Sequence, residues 1–300
     1  MNDAINAMAA AFESYSNGTS HVPQRYISGI NHLNLFLKPA YNEEMGRIAV
    51  KIITQKTDGS FQGLPTILGV VLLLDIKTGA ILSMMDGACI TALRTGAAGG
   101  IATKLLARER AETVAIFGCG TQGKTQLEAI CCVRPIKQVF LFDLNEEVAH
   151  KLKIEMQERL GIHIKVLKNT EYLREADIIC TATHSENPLF DQKDISKGTH
   201  INAIGSYKPH MQEIDPVLIK SSRLFVDSKE SVLQESGDLI KPINNQIFTN
   251  GVIEAEIGEI ISKKVKGRQN ENEISIFKSV GLGVQDLFVA NMIYEKYLQQ

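Results

Sequence analysis

Residues 113–143 read TVAIFGCGTQGKTQLEAICCVRPIKQVFLFD, and several independent signals within them agree. Val114, Ala115, Ile116 and Phe117 form an apolar run closed by glycine, as suits a strand buried on both faces. Gly118, Gly120 and Gly123 follow as G-x-G-x-x-G, and residues 124–130 carry helix formers. A second apolar run, 139–142, ends in Asp143, 20 residues after Gly123. Each part has a physical reason. The first glycine permits the tight turn, the second lets a pyrophosphate approach the backbone, and the third lets helix pack on strand. The helix N-terminus then offers free N–H groups and a positive dipole end to the phosphates. The unit predicts dinucleotide binding; the bland alternative is a glycine turn in a ligand-free α/β domain.

Asp143 bears on which dinucleotide. A carboxylate there accepts both ribose hydroxyl protons and repels a 2′-phosphate. Leu144, Asn145, Glu146 and Glu147 supply no cation to hold that phosphate. NAD is favoured over NADP. Residues 145–147 are equally readable as the acidic first turn of the next helix.

Three hundred residues with 44% hydrophobic content suit one large or two ordinary domains with real cores. A net charge of −2 and scattered Lys and Arg give no footprint for nucleic acid or an anionic membrane. No apolar stretch nears 18 residues and no cationic-then-apolar leader is seen, so the expected location is the cytoplasm. Five cysteines in apolar or glycine contexts fit reduced thiols. Without CxxC or HxxxH spacing, no metal is expected.

Alternation continues beyond Asp143. Helical patterns at 146–160, 171–176 and 216–221 separate strand-like runs at 162–167, 177–183, 198–205 and 223–227. An amphipathic helix is expected at 254–266 and a last strand at 274–280. This is the pattern of a doubly wound parallel sheet, so 109–282 reads as a Rossmann dinucleotide-binding domain. Residues 1–108 differ. A helix at 3–15 precedes extended segments at 32–37, 48–54, 68–75 and 80–85, with a Thr78-Gly79 turn implying antiparallel strands. A helix at 91–107 leads into the Rossmann strand. Gly96 and Gly100 on that helix imply close backbone approach, by a packed helix or by a cofactor. The fold class is α/β, a Rossmann domain plus an α/β substrate-binding and dimerisation domain, 1–108, joined by a C-terminal helix at 283–300.

Three cations stand in odd settings. Lys51 interrupts the apolar run 48–53, Arg94 lies near the start of a glycine-rich, nearly uncharged helix, where a cation opposes the macrodipole, and Arg25 follows a proline-containing loop. Singly, each reads as solvated or snorkelling. Together, beside a redox cofactor, they suggest a pocket for an amino-acid carboxylate. Asp227 ends the strand 223–226 at the edge where open α/β sheets place ligands. It reads either as a general base toward an amine or as the cap of a helix at 229–234, a role Ser228 can also fill.

The chain resembles the ornithine cyclodeaminase/mu-crystallin family, with its archaeal alanine dehydrogenase-like branch nearest. The resemblance rests on VPQRY (22–26), AVKIIT (49–54), GLPT (63–66), TGAILSMMDGACITALRTGAAGGIATKLLA (78–107), GCGTQG (118–123), GTHINAIGS (198–206), FVDS (225–228), SGDL (236–239) and IFKSVGLGVQD (276–286). It implies a homodimer whose substrate domains pair their sheets across the two-fold into a closed barrel. It also implies that Arg25, Lys51 and Arg94 bind the substrate carboxylate, with Lys51 and Asp227 at the chemistry. Cofactor contacts are implied at Thr95, Gly118, Gly120, Thr121, Gln122, Gly123, Asp143, Thr183 and Gly205. Some positions depart from the family pattern. Lys38 stands where methionine is usual, His184 where a small residue or proline is common, and Phe36 where the alanine dehydrogenase branch has arginine.

The resemblance implies an NAD-dependent amino-acid dehydrogenase or imino-acid (ketimine) reductase acting on a small, alanine-like amino acid. Ornithine cyclodeaminase is the second reading, and a catalytically weak, mu-crystallin-like ligand-binding protein the third. Retention of Arg25, Lys51, Arg94 and Asp227 together weighs against the third.

Overall fold

Antiparallel pairing in the first third of the chain follows from runs of β-branched and apolar residues broken by turn residues. The computed structural model describes residues 1–56 and 67–300, so the GLPT block lies outside the described residues. After helix α1 (Asn2–Ser16) come β1 (Ser20–His21), β2 (Tyr26–Ile30), β3 (Leu33–Asn42), β4 (Arg47–Lys56), β5 (Ile67–Asp75) and β6 (Ile81–Asp86). Among the described residues they form one sheet in the order β1-β3-β4-β5-β6, with β2 also paired to β3. One face lies under helices α2 (Gly87–Leu106) and α9 (Gly283–Leu298) and buries Ala40, Ala49, Val71 and Leu73. Tyr26, Ile27, Ile30, Ile81 and Met84 stay exposed.

The second sheet is parallel throughout. Its strands are β7 (Thr113–Phe117), β8 (Gln138–Phe142), β9 (His163–Val166), β10 (Ile178–Thr181), β11 (His200–Ala203), β12 (Arg223–Val226), β13 (Ile253–Glu256) and β14 (Ser275–Lys278). They run in the order β13-β12-β14-β11-β10-β7-β8-β9. Helices α3 (Thr121–Val133), α4 (Glu146–Leu160), α5 (Pro216–Ser221), α6 (Lys229–Glu235), α7 (Gly237–Asn244) and α8 (Ile257–Ile261) connect them. Side-chain alternation on β7 shows why both faces need cover. Val114 and Ile116 join the core shared with α1, α2 and α9, while Ala115 and Phe117 join a separate core on the far face. This is the expected Rossmann arrangement.

Three expectations need correction. The helix expected at 171–176 is only a short 3-10 turn, Leu173–Glu175. The amphipathic pattern at 254–266 is not one helix. Its first residues form edge strand β13 beside β12, with Ala255 buried, and only Ile257–Ile261 is helical. Reciprocal bonds between Glu256 and Glu259 start that helix there, and Gly258 sits against the Phe12 carbonyl of α1. Helix α2 begins at Gly87 rather than residue 91, because Asp86 caps it by accepting from the Cys89 N–H at 2.7 Å. Arg94 therefore stands about two turns inside the helix, away from the positive dipole end.

The α2 glycines serve helix packing. A Cβ at Gly96 would meet the Thr125 carbonyl oxygen of α3 at 2.6 Å, and one at Gly100 would meet Ala129 at 3.0 Å. Gly96→Ala gains about 1 kcal/mol of helix propensity but drives α2 from α3, costing about 1–3 kcal/mol. The clash is with backbone, which cannot rotate away. A lower denaturant midpoint with unchanged slope is expected, and a raised midpoint would show that the two helices re-seat freely.

Candidate active site

Because every strand of the second sheet is parallel, all the carboxyl ends meet at one edge. Register places Phe117 beside Phe142 and Thr181, Thr181 beside Ala203, and Ala203 and Val226 each beside Lys278. The next residues therefore gather there: Gly118, Asp143, Thr183, Gly205, Asp227 and the turn 279–281. This is where open α/β sheets bind ligands.

The glycine loop has the geometry a pyrophosphate needs. Gly118 adopts φ +89°, and a Cβ there would meet the Ala182 carbonyl at 2.5 Å. Gly123 packs on the Gly118 carbonyl and on Ile116 of β7, so α3 lies close against its strand. Gly120 faces open space, and no side chain caps α3 before Thr121. Asp143 accepts from the Cys119 N–H at 2.7 Å and the Asn145 N–H at 2.8 Å, which fixes its carboxylate beside the loop. Thr95 Oγ1 and Gln122 Oε1 are buried without a partner. An uncapped helix start, an open approach and unsatisfied polar atoms fit a bound dinucleotide. Asn145 meanwhile caps α4 through the Glu147 N–H, so residues 145–147 are also an ordinary helix start.

A buried carboxylate braces the neighbouring loops. Glu213 Oε1 accepts from the Thr183 N–H (2.7 Å) and Thr183 hydroxyl (2.8 Å). Its Oε2 accepts from the Thr181 hydroxyl (2.8 Å), the Gly205 N–H (2.7 Å) and the Ser206 N–H (3.1 Å). Burial pushes the Glu213 pKa up, while buried Lys278 and the Thr183 bonds oppose this. Asp238 accepts from the Glu213 N–H and stands 3.0 Å from Lys278 Nζ.

The three cations singled out in the sequence lie in one cluster. Lys51 Nζ, fully buried on β4, stands 2.7 Å from Asp286 of α9 and 3.2 Å from the Thr91 hydroxyl of α2. Arg94 donates to Gln285 Oε1 at 2.7 Å, and its Nε lies 3.4 Å from Asp286. Arg25 pairs with Glu235 at the end of α6, at 2.7 Å. Burial pushes the Lys51 pKa down to about 7 against the pull of Asp286, with Arg94 and Lys38 adding to the fall. The same partners hold the Asp286 carboxyl below its usual range although burial opposes them.

Asp227 is not the helix cap; Ser228 is, accepting from the Ser231 N–H at 3.2 Å. Asp227 is buried. Its Oδ1 accepts from the Ser228 N–H at 2.9 Å, and its Oδ2 from the Ser279 hydroxyl (2.7 Å), the Val280 N–H (2.9 Å) and the Gly281 N–H (2.8 Å). Burial pushes its pKa up and these donors lower it. Arg94 lies against Gly281, where a Cβ would come within 2.5 Å of Nη1. The turn held by Asp227 thus carries the guanidinium.

Sequence reasoning missed Lys38, Glu213, Glu235, Gln285 and Asp286 as site members. The QD pair was visible as a motif, but nothing linear joins it to Lys51, 235 residues away.

A model of the ornithine cyclodeaminase/mu-crystallin family matches residues 1–300. A Delta(1)-pyrroline-2-carboxylate reductase of Bacillus cereus is 41% identical, covering 100% of this chain and 93% of its own. The solved Delta(1)-pyrroline-2-carboxylate reductase of Thermococcus litoralis, in complex with NADH and L-proline, superposes with a TM-score of 0.93 at 40% identity. That likeness covers 99% of this chain and 93% of the other. An archaeal alanine dehydrogenase dimer with bound NAD gives 0.93 at 35% identity, covering 100% and 92%. With matches along its whole length, the chain belongs to the ornithine cyclodeaminase/mu-crystallin family.

Proposed function

We propose that this chain is an NAD-dependent imino-acid reductase, reducing a cyclic C=N bond beside a carboxylate as in Delta(1)-pyrroline-2-carboxylate, and oxidising the cyclic amino acid in reverse. The carrying observation is that Arg94, which shares Asp286 with Lys51, lies against the turn held by Asp227 at the edge that bears the glycine loop, with Arg25 held by Glu235 at the end of α6. Relatives named for this substrate at 41% and 40% identity support it. An alanine-type amino acid is the second reading, favoured by the archaeal alanine dehydrogenase. Phe36, where that branch has arginine, weighs against it.

In this reading residues 1–108 with 283–300 hold the substrate and 109–282 hold NAD. Gly118, Gly120, Thr121, Gln122 and Gly123 take the phosphates, Asp143 the ribose, and Thr95, Thr183 and Gly205 the remainder. Bound NADH supplies the hydride for the imine carbon. Arg25, Lys51 and Arg94 hold the carboxylate and so fix one face of the C=N bond. Asp227 returns a proton to nitrogen in reduction and accepts it from the amine in oxidation. The assembly in this reading is a homodimer through the first sheet, where a second copy would cover exposed Tyr26, Ile27, Ile30, Ile81 and Met84.

The test follows reduced-cofactor absorbance with Delta(1)-pyrroline-2-carboxylate, with pyruvate plus ammonia, and with ornithine in parallel. NADH-dependent reduction of the cyclic imine well above the other two is expected. Faster turnover of pyruvate and ammonia would move the assignment to alanine.

Asp227→Asn retains size but loses the proton-accepting charge. Turnover should fall by roughly 10²–10⁴-fold while NADH affinity stays within a few-fold. Near-normal turnover would leave Asp227 only its anchoring of the 279–281 turn.

Lys51 predicts the pH dependence. Its ammonium is protonated below about pH 7 and neutral above. Carboxylate binding needs the charge, so kcat/KM for imine reduction should be highest on the acid side and fall as pH rises through neutrality. A flat profile there removes Lys51 from substrate binding.

A further inference from the structure

Three cations stand in one cross-strand row. Lys38 of β3 is the register partner of Lys51 on β4. Tyr26 pairs with Leu37, so Arg25, one residue earlier, stands next to Lys38 on the other side. Directly opposed side chains share a sheet face, and like charges there repel. Lys38 and Ala40 lie two apart on the face that α2 and α9 cover. Arg94 adds a fourth cation from α2.

Three of the four are paired: Arg25 with Glu235, Lys51 with Asp286, and Arg94 with Gln285 and Asp286. Among the described residues, Lys38 has no hydrogen bond or ion pair. Asp227 spends its charge on neutral donors of the 279–281 turn. With Lys38 lacking a partner, the cluster holds more cationic groups than carboxylates, which favours a substrate carboxylate. A further positive charge on the substrate would have nothing to offset it. Burial pushes the Lys38 pKa down to about 8, and Arg25 and Arg94 add to the fall against the pull of Asp286 and Glu235.

We infer that Lys38 is a specificity-determining residue, whose free ammonium sets the charge that a substrate side chain can carry. Neutral cyclic and acidic amino acids are admitted; diamino acids such as ornithine are repelled by their distal ammonium. The inference rests on the carboxylate-binding reading of Arg25, Lys51 and Arg94. It deepens that reading by turning the site away from cyclodeaminase chemistry.

The experiment measures binding of proline, aspartate and ornithine to the enzyme–NADH complex by nicotinamide fluorescence, in wild type, Lys38→Met, Lys38→Gln and Lys38→Arg. In Lys38→Met the ornithine-to-proline ratio of Kd should fall by about tenfold or more, and aspartate should bind more weakly relative to proline than in wild type. Lys38→Arg should retain the wild-type ratios. Lys38→Gln keeps a polar end and repeats the test if the methionine variant misfolds. NADH affinity verifies that each variant is folded. Ratios unchanged in both neutral variants, with proline still bound, overturn the role of Lys38 alone. Wild type binding none of the three amino acids overturns the carboxylate reading and the inference with it.

Discussion

A single buried carboxylate, Asp286, joins three elements that are far apart in sequence. From α9 it reaches Lys51 on β4 and Arg94 on α2, in a place where all three side chains are nearly or fully removed from water. Buried charges are tolerated only in such company. Removing one partner of a buried pair typically costs about 3–5 kcal/mol, because the other charge is left unpaired. The C-terminal helix is therefore tied to the first sheet by electrostatics as well as by apolar packing. The same pairing keeps both cations dry, and Arg94 lies against the turn at the carboxyl edge of the second sheet.

That edge depends on buried carboxylates in a different way. Asp227 and Glu213 are saturated mainly by backbone N–H and hydroxyl donors rather than by cations. Each ties together loops that follow different strands: Asp227 the ends of β12 and β14, Glu213 the ends of β10 and β11. Loops at a strand edge are otherwise the mobile part of a fold. Charge-assisted bonds from a buried acid hold them at fixed separation, and a hydride-transfer site needs such precision.

The family blocks gain a physical meaning here. SGDL contributes Asp238, which holds Glu213, and FKSVG contributes Lys278 beside it and the Ser279–Gly281 turn. The closing QD contributes Gln285 and Asp286. Their side chains are buried polar groups that satisfy one another, so exchanging one leaves another unsatisfied.

The local chain determined what depends on neighbours in sequence. Strand–glycine–helix–strand–acid at 113–143 dictated the nucleotide-binding unit, since turn, cap and apolar period are short-range properties. The oddness of Lys51 and Arg94 was also legible, because an apolar run and an uncharged helix give them no solvent face. The error at 254–266 marks the limit: helical periodicity there yielded to a free edge of β12 that only the assembled sheet provides. Register decided that Lys38 stands between Arg25 and Lys51, and packing of α9 on the first sheet decided that Asp286 lies against β4. Such pairings join residues far apart in the chain, and burial, which gives those charges their meaning, is a property of the packed molecule and of no segment within it.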